Sequence, residues 1–182
     1  SKTELKKRLM IRGRESQIEI KKRLSLAVKE ISHYNEYKYV LVNDNITLTS
    51  DDVGKLIVIG TAAKTVTLPS AEAGMVVDVL CKVETDAGST VIASSGDCFF
   101  GNVVVTSSTE DQAEAQHLTY ATATGTVASY DNFDLDHDSN NLGGHVGDCI
   151  RFSAIDDTAW CVNAVLTTDG TNPASIAVIN AG

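Results

Sequence analysis

Apolar positions along the chain follow two different spacings, and the change from one to the other happens once. Ile20, Leu24, Ala27, Val28 and Ile31 recur three or four residues apart, while Lys21, Lys22, Lys29 and Glu30 fall off that stripe. This spacing predicts an amphipathic helix. Ser16-x-x-Glu19 reads as a capping box at its start, and Ser1-x-x-Glu4 as one for an earlier helical run, with Gly13 as the break between them. From Tyr39 onward the apolar residues come in short runs instead. Tyr39–Val42, Lys55–Ile59, Thr65–Leu68, Met75–Val83, Ser89–Ala93, Asn102–Thr106, His117–Ala123, Cys149–Ala154, Ala159–Leu166 and Ser175–Ile179 have strand length and strand composition. Gly, Asp, Asn and Ser separate them, and Pro69 closes one where a ladder hydrogen bond would otherwise be lost. Many short, regularly broken strands predict a mainly β domain, sandwich or jelly-roll-like, preceded by a short α-helical N-terminal arm. No internal repeat is evident at this level.

Charge sharpens the division. The formal net charge is −9. Residues 1–45 carry 11 Lys+Arg and 6 Asp+Glu, or +5, and residues 46–182 carry 4 and 18, or −14. Composition shifts at the same point, from Lys, Arg, Glu and Leu to Val, Thr, Ala, Ser, Asp and Gly. The expected organisation is therefore a basic helical arm over 1–45 and an acidic β-rich domain over 46–182. The acidic balance argues against a nucleic-acid partner. No run of 18 apolar residues marks a membrane span, and SKTELKKRL offers no apolar signal segment. With 4 Phe, 5 Tyr and Trp160 alone among tryptophans, the core is expected to be aliphatic. Cys81, Cys98, Cys149 and Cys161 lie too far apart for a paired metal knuckle, and read as small apolar residues.

The stretch LKKRLMIRGRESQIEIKKRLSLAVKEISHYNEYKYVLVNDN, residues 5–45, resembles the C-terminal part of guanylate kinase. Arg12-Gly13, Lys22-Arg23-Leu24, His33-Tyr34 and Val42-Asn43-Asp44 carry the likeness. It implies that Arg8, Arg12 and Arg23 are lid arginines that clamp ATP phosphates, with Asn43 near the adenine. Arginine suits that task because its planar fork meets phosphate through two hydrogen bonds. The chemistry also needs a glycine-rich phosphate loop ending in Gly-Lys-Ser/Thr, and none of these 182 residues form one. The nearest text, Gly54-Lys55, lacks the preceding glycine. The expectation is a chain that is not an enzyme.

Residues 46–170 resemble decoration or cement proteins of tailed-phage heads. ITLTSDDVGKLIVIGTAAKTVTLPSAEAGMVVDVL carries the likeness, through Asp52-x-Gly54-Lys55, Thr65–Pro69 and Gly74, with Gly147-Asp148 and Trp160-x-Val162 later. It implies a non-enzymatic virion structural protein on the capsid surface that binds the major capsid protein as a homotrimer, with neither nucleic acid nor membrane as partner. Two other readings stand beside it. One is a receptor- or glycan-binding module of a phage tail or fibre. The other is an inactive or artefactual guanylate kinase fragment fused to a β domain.

Three constellations bear on chemistry. Asp134, Asp136 and Asp138 alternate like the start of a calcium loop, but Ser139 and His145 occupy positions where an EF-hand needs Gly and Glu. A solvated acidic loop is the simpler expectation. His117, His137 and His145 lie on separate segments without ligand spacing, and read as loop or surface residues. Tyr120, Tyr130 and Trp160 read as core or interface side chains rather than a sugar platform. No catalytic, cofactor or metal residue is assigned.

Overall fold

The computed structural model describes residues 17–32, 38–108, 113–118, 130–137, 142–169 and 179–181. The chain divides into two compact units, Ser1–Lys38 and Tyr39–Gly182. Their boundary lies ahead of the composition break at Asn45, because the strand Tyr39–Val42 pairs within the β unit.

In the first unit one helix, α1, spans Gln17–Ser32. It begins on the residue after Ser16, with Glu19 in its first turn, where a carboxylate favours the positive end of the helix dipole. Ile20 is buried and Leu24 half-buried, as the apolar stripe predicts, while Ile18 and Leu26 face solvent. The described helix is too short and too polar to cross a membrane.

The second unit holds twelve strands: β1 Tyr39–Val42, β2 Ile46–Thr47, β3 Leu56–Ile59, β4 Thr65–Thr67, β5 Val76–Cys81, β6 Ser89–Ile92, β7 Cys98–Ser107, β8 Ala113–Leu118, β9 Tyr130–Leu135, β10 Cys149–Ala154, β11 Ala159–Thr168 and β12 Ile179–Ala181. Among the described residues they form a seven-stranded sheet, β1-β3-β5-β10-β11-β7-β8, and a five-stranded sheet, β12-β9-β6-β4-β2. Ten strands fall on predicted runs, with moved ends. β7 begins ahead of Asn102, β8 ahead of His117, and β12 takes up only the end of the Ser175–Ile179 run, whose first residues lie outside the described set. β2 and β9 were not predicted.

The first six strands alternate between the sheets. β1, β3 and β5 run parallel in the larger one, and β2, β4 and β6 run parallel in the smaller. The chain thus winds through three flattened coils. Thereafter pairing is mixed: β10 is antiparallel to β5 and β11, β7 is parallel to β11, and β9 is antiparallel to β6.

Register places apolar residues in rows across the larger sheet. Val40, Ile57, Val79, Ile150, Ala164 and Val103 are successive neighbours, and all are buried. Val66, Val91 and Phe133 make the matching row in the smaller sheet. The two inner faces meet where the ring of Phe133 packs edge-on against Phe152, centroids 5.5 Å apart. Each fully buried Val, Ile, Leu or Phe in these rows stabilises the sandwich by about 1.5–3 kcal/mol. The opposite face of the larger sheet carries a polar row, Asp78, Arg151, Asn163, Asn102 and His117. Alternation along each strand separates the two faces.

Candidate functional site

On α1 the exposed side chains of Lys21, Lys22 and Arg23 make a basic surface. Glu19, Lys22, Arg23 and Leu26 line a cleft of about 260 Å³. The i, i+4 spacing of Glu19 and Arg23 sets them on one side of the helix. Of the other lid-type residues, Arg8 and Arg12 lie outside the described residues. Asn43 belongs to the β unit, where its Oδ1 accepts a 3.4 Å hydrogen bond from the Thr61 hydroxyl.

Gly54-Lys55 has a structural task. Asp52 Oδ2 accepts hydrogen bonds from the Thr49 backbone N–H at 3.0 Å and from the Thr49 hydroxyl at 3.1 Å. Its Oδ1 pairs with Lys55 Nζ at 3.3 Å, both side chains being buried. Gly54 turns the chain between them at φ +78°. The lysine is held in an ion pair under the sheet and does not point at a phosphate site.

A second group of chemistry-bearing side chains lies at one end of the β sandwich, where the turn after β5, the exit of β9, the loop before β10 and the end of β11 converge. His137 is 4% exposed. Its Nδ1 approaches Asp86 Oδ1 at 3.4 Å and Asp169 Oδ1 at 4.0 Å, and among the described residues its Nε2 has no hydrogen-bond partner. The His145 ring stacks on it with centroids 5.0 Å apart, and His145 Nε2 lies 3.7 Å from Glu84 Oε1. Donor atoms of Glu84, Asp86 and His137 all lie within 4.8 Å of one another.

Buried polar residues hold these loops in place. Thr85, fully buried between Glu84 and Asp86, donates its backbone N–H to the Gly144 carbonyl at 3.2 Å and its hydroxyl to the same oxygen at 3.3 Å. Asp148 Oδ2 accepts from the backbone N–H groups of Gly144, His145 and Thr167 at 2.9, 3.0 and 2.9 Å. The buried Thr168 hydroxyl donates to the His137 carbonyl at 2.6 Å. Gly144 has φ +103°, and a Cβ there would strike the Thr85 hydroxyl, so the contact admits glycine alone.

The histidines depart from expectation. His137 is buried rather than on the surface, and it meets His145 although a separation of eight positions gives no ligand spacing. His117 behaves as expected: exposed, and bonded through Nδ1 to Asn102 Oδ1. The start of the acidic alternation is strand rather than the expected solvated loop. Asp134 lies on β9 beside the buried Phe133 and Leu135, and accepts a 2.9 Å hydrogen bond from the Thr90 hydroxyl. Asp136 follows the strand half-buried, and Asp138 lies outside the described residues. Trp160 is fully buried, which removes it from any sugar platform. Tyr130 packs half-buried against the core, and Tyr120 lies outside the described residues.

All four cysteines are free thiols. Burial, with Asp148 and Cys149 nearby, pushes the Cys81 thiol up to about 12, so it stays protonated at neutral pH. Cys98 and Cys149 are also raised, by burial first. Cys149 is exposed and Cys98 and Cys161 only half-buried, so the apolar reading holds fully for Cys81 alone. On the polar face of the larger sheet, Arg151 donates to Asp78 through Nε at 2.7 Å and Nη2 at 2.9 Å, and this pair holds the Asp78 carboxyl below its usual range.

No family model and no solved structure matches the chain. Curated relatives do, among them guanylate kinases. The enzyme of Buchnera aphidicola (subsp. Baizongia pistaciae) is 49% identical over 57 residues, 31% of this chain and 28% of that protein. The enzyme of Yersinia pestis is 47% identical over 57 residues, and that of Haemophilus influenzae 46% over 54. These matches overturn the expectation of a non-enzymatic capsid decoration protein located in the virion: they name an enzyme family, and the phage resemblance finds no counterpart among them. The matched stretch of 57 residues is longer than the 5–45 segment that carried the kinase resemblance. The chain is similar to guanylate kinase over about a third of its own length, and it spans about a quarter of the relatives it matches.

Proposed function

We propose that the segment containing α1 serves a guanylate-kinase-like function, using Lys22 and Arg23 to bind the phosphates of a nucleoside triphosphate. The observation that carries this reading is the 49% identity to a guanylate kinase over 57 residues. The exposed basic face of α1 supports it, with Lys22 and Arg23 on an open cleft. Hydrogen bonds from such cations to phosphate oxygens are charge-assisted, and their strength comes without any need for deep burial of the site. Phosphoryl transfer needs a cradle for the β- and γ-phosphates as well. Gly54-Lys55 does not supply it, so the proposal concerns the phosphate clamp.

The test is titration of the full chain with a fluorescent ATP analogue, with AMP, GMP and ATP as competitors. Saturable binding in which ATP outcompetes AMP is expected, weakened about tenfold by Arg23→Ala, the scale set by one charge-assisted hydrogen bond. Binding that is not saturable, or that Arg23→Ala and Lys22→Ala leave unchanged, would sink the reading. The GMP competition reads whether guanylate is held too.

A further inference from the structure

We propose that Glu84, Asp86 and His137 form a binding site for a divalent transition-metal ion of the zinc class, at the end of the β sandwich. The observation that starts the argument is the imidazole. His137 is 4% exposed, yet among the described residues Nε2 has no hydrogen-bond partner and Nδ1 lies 3.4 Å from Asp86 Oδ1. An N–H···O hydrogen bond normally spans about 2.7–3.2 Å. A buried ring so weakly bonded, facing carboxylates, is poorly explained as a structural histidine.

A metal ion explains the spacing. Zinc bonds to imidazole nitrogen and carboxylate oxygen at about 2.0–2.2 Å, and a tetrahedral ion then holds its ligand atoms about 3.4 Å apart. The Nδ1–Asp86 separation is 3.4 Å, and the three donor atoms fall within 4.8 Å. Asp169, 4.0 Å from the same Nδ1, and His145, stacked on the ring and 3.7 Å from Glu84, are neighbours within reach of a fourth position.

The site is held before any ion arrives. Thr85 anchors the turn that carries Glu84 and Asp86, Thr168 holds the His137 backbone, and Asp148 fixes the loop of His145. Supports of this kind orient metal ligands and raise affinity. The carboxylates of Glu84 and Asp86 are 48% and 54% exposed, which leaves an entry path from solvent. Donor chemistry selects the ion. An imidazole among the ligands suits zinc and its neighbours, whereas calcium and magnesium take oxygen ligands.

The full chain, stripped with chelator, is titrated with Zn²⁺ by calorimetry and melted with Zn²⁺, Ca²⁺ or Mg²⁺. His137→Gln alters a buried position, so the exposed carboxylates carry the test. One Zn²⁺ per chain is expected, with a higher melting temperature, and a loss of tenfold or more in affinity for Glu84→Gln and for Asp86→Asn. The exposed control Asp51→Asn should bind as the parent does. Co²⁺ in place of Zn²⁺ should give visible bands of tetrahedral nitrogen–oxygen ligation. The proposal is overturned by no binding at millimolar Zn²⁺, by unchanged affinity in both carboxylate variants, by a thiolate charge-transfer band that assigns the ion to a cysteine, or by equal stabilisation with Ca²⁺ or Mg²⁺.

Discussion

Asp148 shows how much one side chain organises. A single carboxylate oxygen accepts from three backbone N–H groups on two segments, the loop 144–145 and strand β11. The Gly144 donor is buried and the other two are partly buried, and a lost partner for a buried donor costs about 1–3 kcal/mol. Asp148→Ala should therefore lower unfolding free energy by roughly 3 kcal/mol or more, read as an earlier urea midpoint. Asp148→Asn, which keeps an acceptor oxygen, should lose less. At this scale the sequence signalled position but not purpose. Gly147-Asp148 and Asp52-x-Gly54-Lys55 stood out as motifs, and both prove to be turn devices in which an aspartate serves backbone or a buried lysine. The phage resemblance leaned on such residues. Any β turn with the same hydrogen-bonding need selects Asp and Gly, so short matches of this kind say little about ancestry. His137 was misplaced for a related reason: a lone histidine in an acidic run carries no local sign of burial, which comes from strands distant in sequence.

Elements were legible where their pattern was long. α1 and ten strands could be read from periodicity and punctuation. β2 has two residues, too few to show any period. β9, Tyr-Asp-Asn-Phe-Asp-Leu, hides a buried Phe133 and Leu135 behind carboxylates on the other face, so its acidic run reads as a solvated loop. The coils were missed because their repeats differ in length, so that Tyr39 pairs with Leu56 and Leu56 with Asp78. What recurs is an apolar strand, a polar bend, then a short Thr- or Ser-bearing strand. At Gly101 strand β7 runs close against the backbone of β11. Gly101 has φ +128°, and a Cβ there would overlap the Val162 carbonyl of β11. Gly101→Ala must either twist β7 or part it from β11, so it should cost more than about 1 kcal/mol. A denaturant titration measures this, and an unchanged midpoint would show that the strands yield without strain.

The whole molecule carries its charge unevenly, and here composition was the better guide. Residues 46–182 hold 18 acidic and 4 basic side chains. Three of those four bases, Lys55, Lys64 and Arg151, pair with aspartates. The excess negative charge repels itself most when the chain is compact. Raising NaCl from about 0.01 to 1 M shortens the screening length from about 30 to 3 Å. The melting temperature should rise across that range, and a fall would mean that attractive pairs outweigh repulsion. Function was less legible than charge. The likeness to guanylate kinase rested on a long, continuous basic stretch and found relatives. The likeness covering the larger domain rested on scattered turns and is not matched by these relatives.

The three parallel coils have a consequence for how such a chain can change. In them β1 to β4 bond only to their counterparts one winding earlier or later, β5 and β6 join the coils to β10 and β9, and among the described residues β1 and β2 stand at the outer edges of their sheets. Structures of this kind gain or lose a whole winding without shifting the register of the rest. The sandwich is in this respect a spool, whose first six strands are wound while its later strands pair in mixed directions. Whatever lies before Tyr39 therefore joins the β unit at the place best able to tolerate a new neighbour.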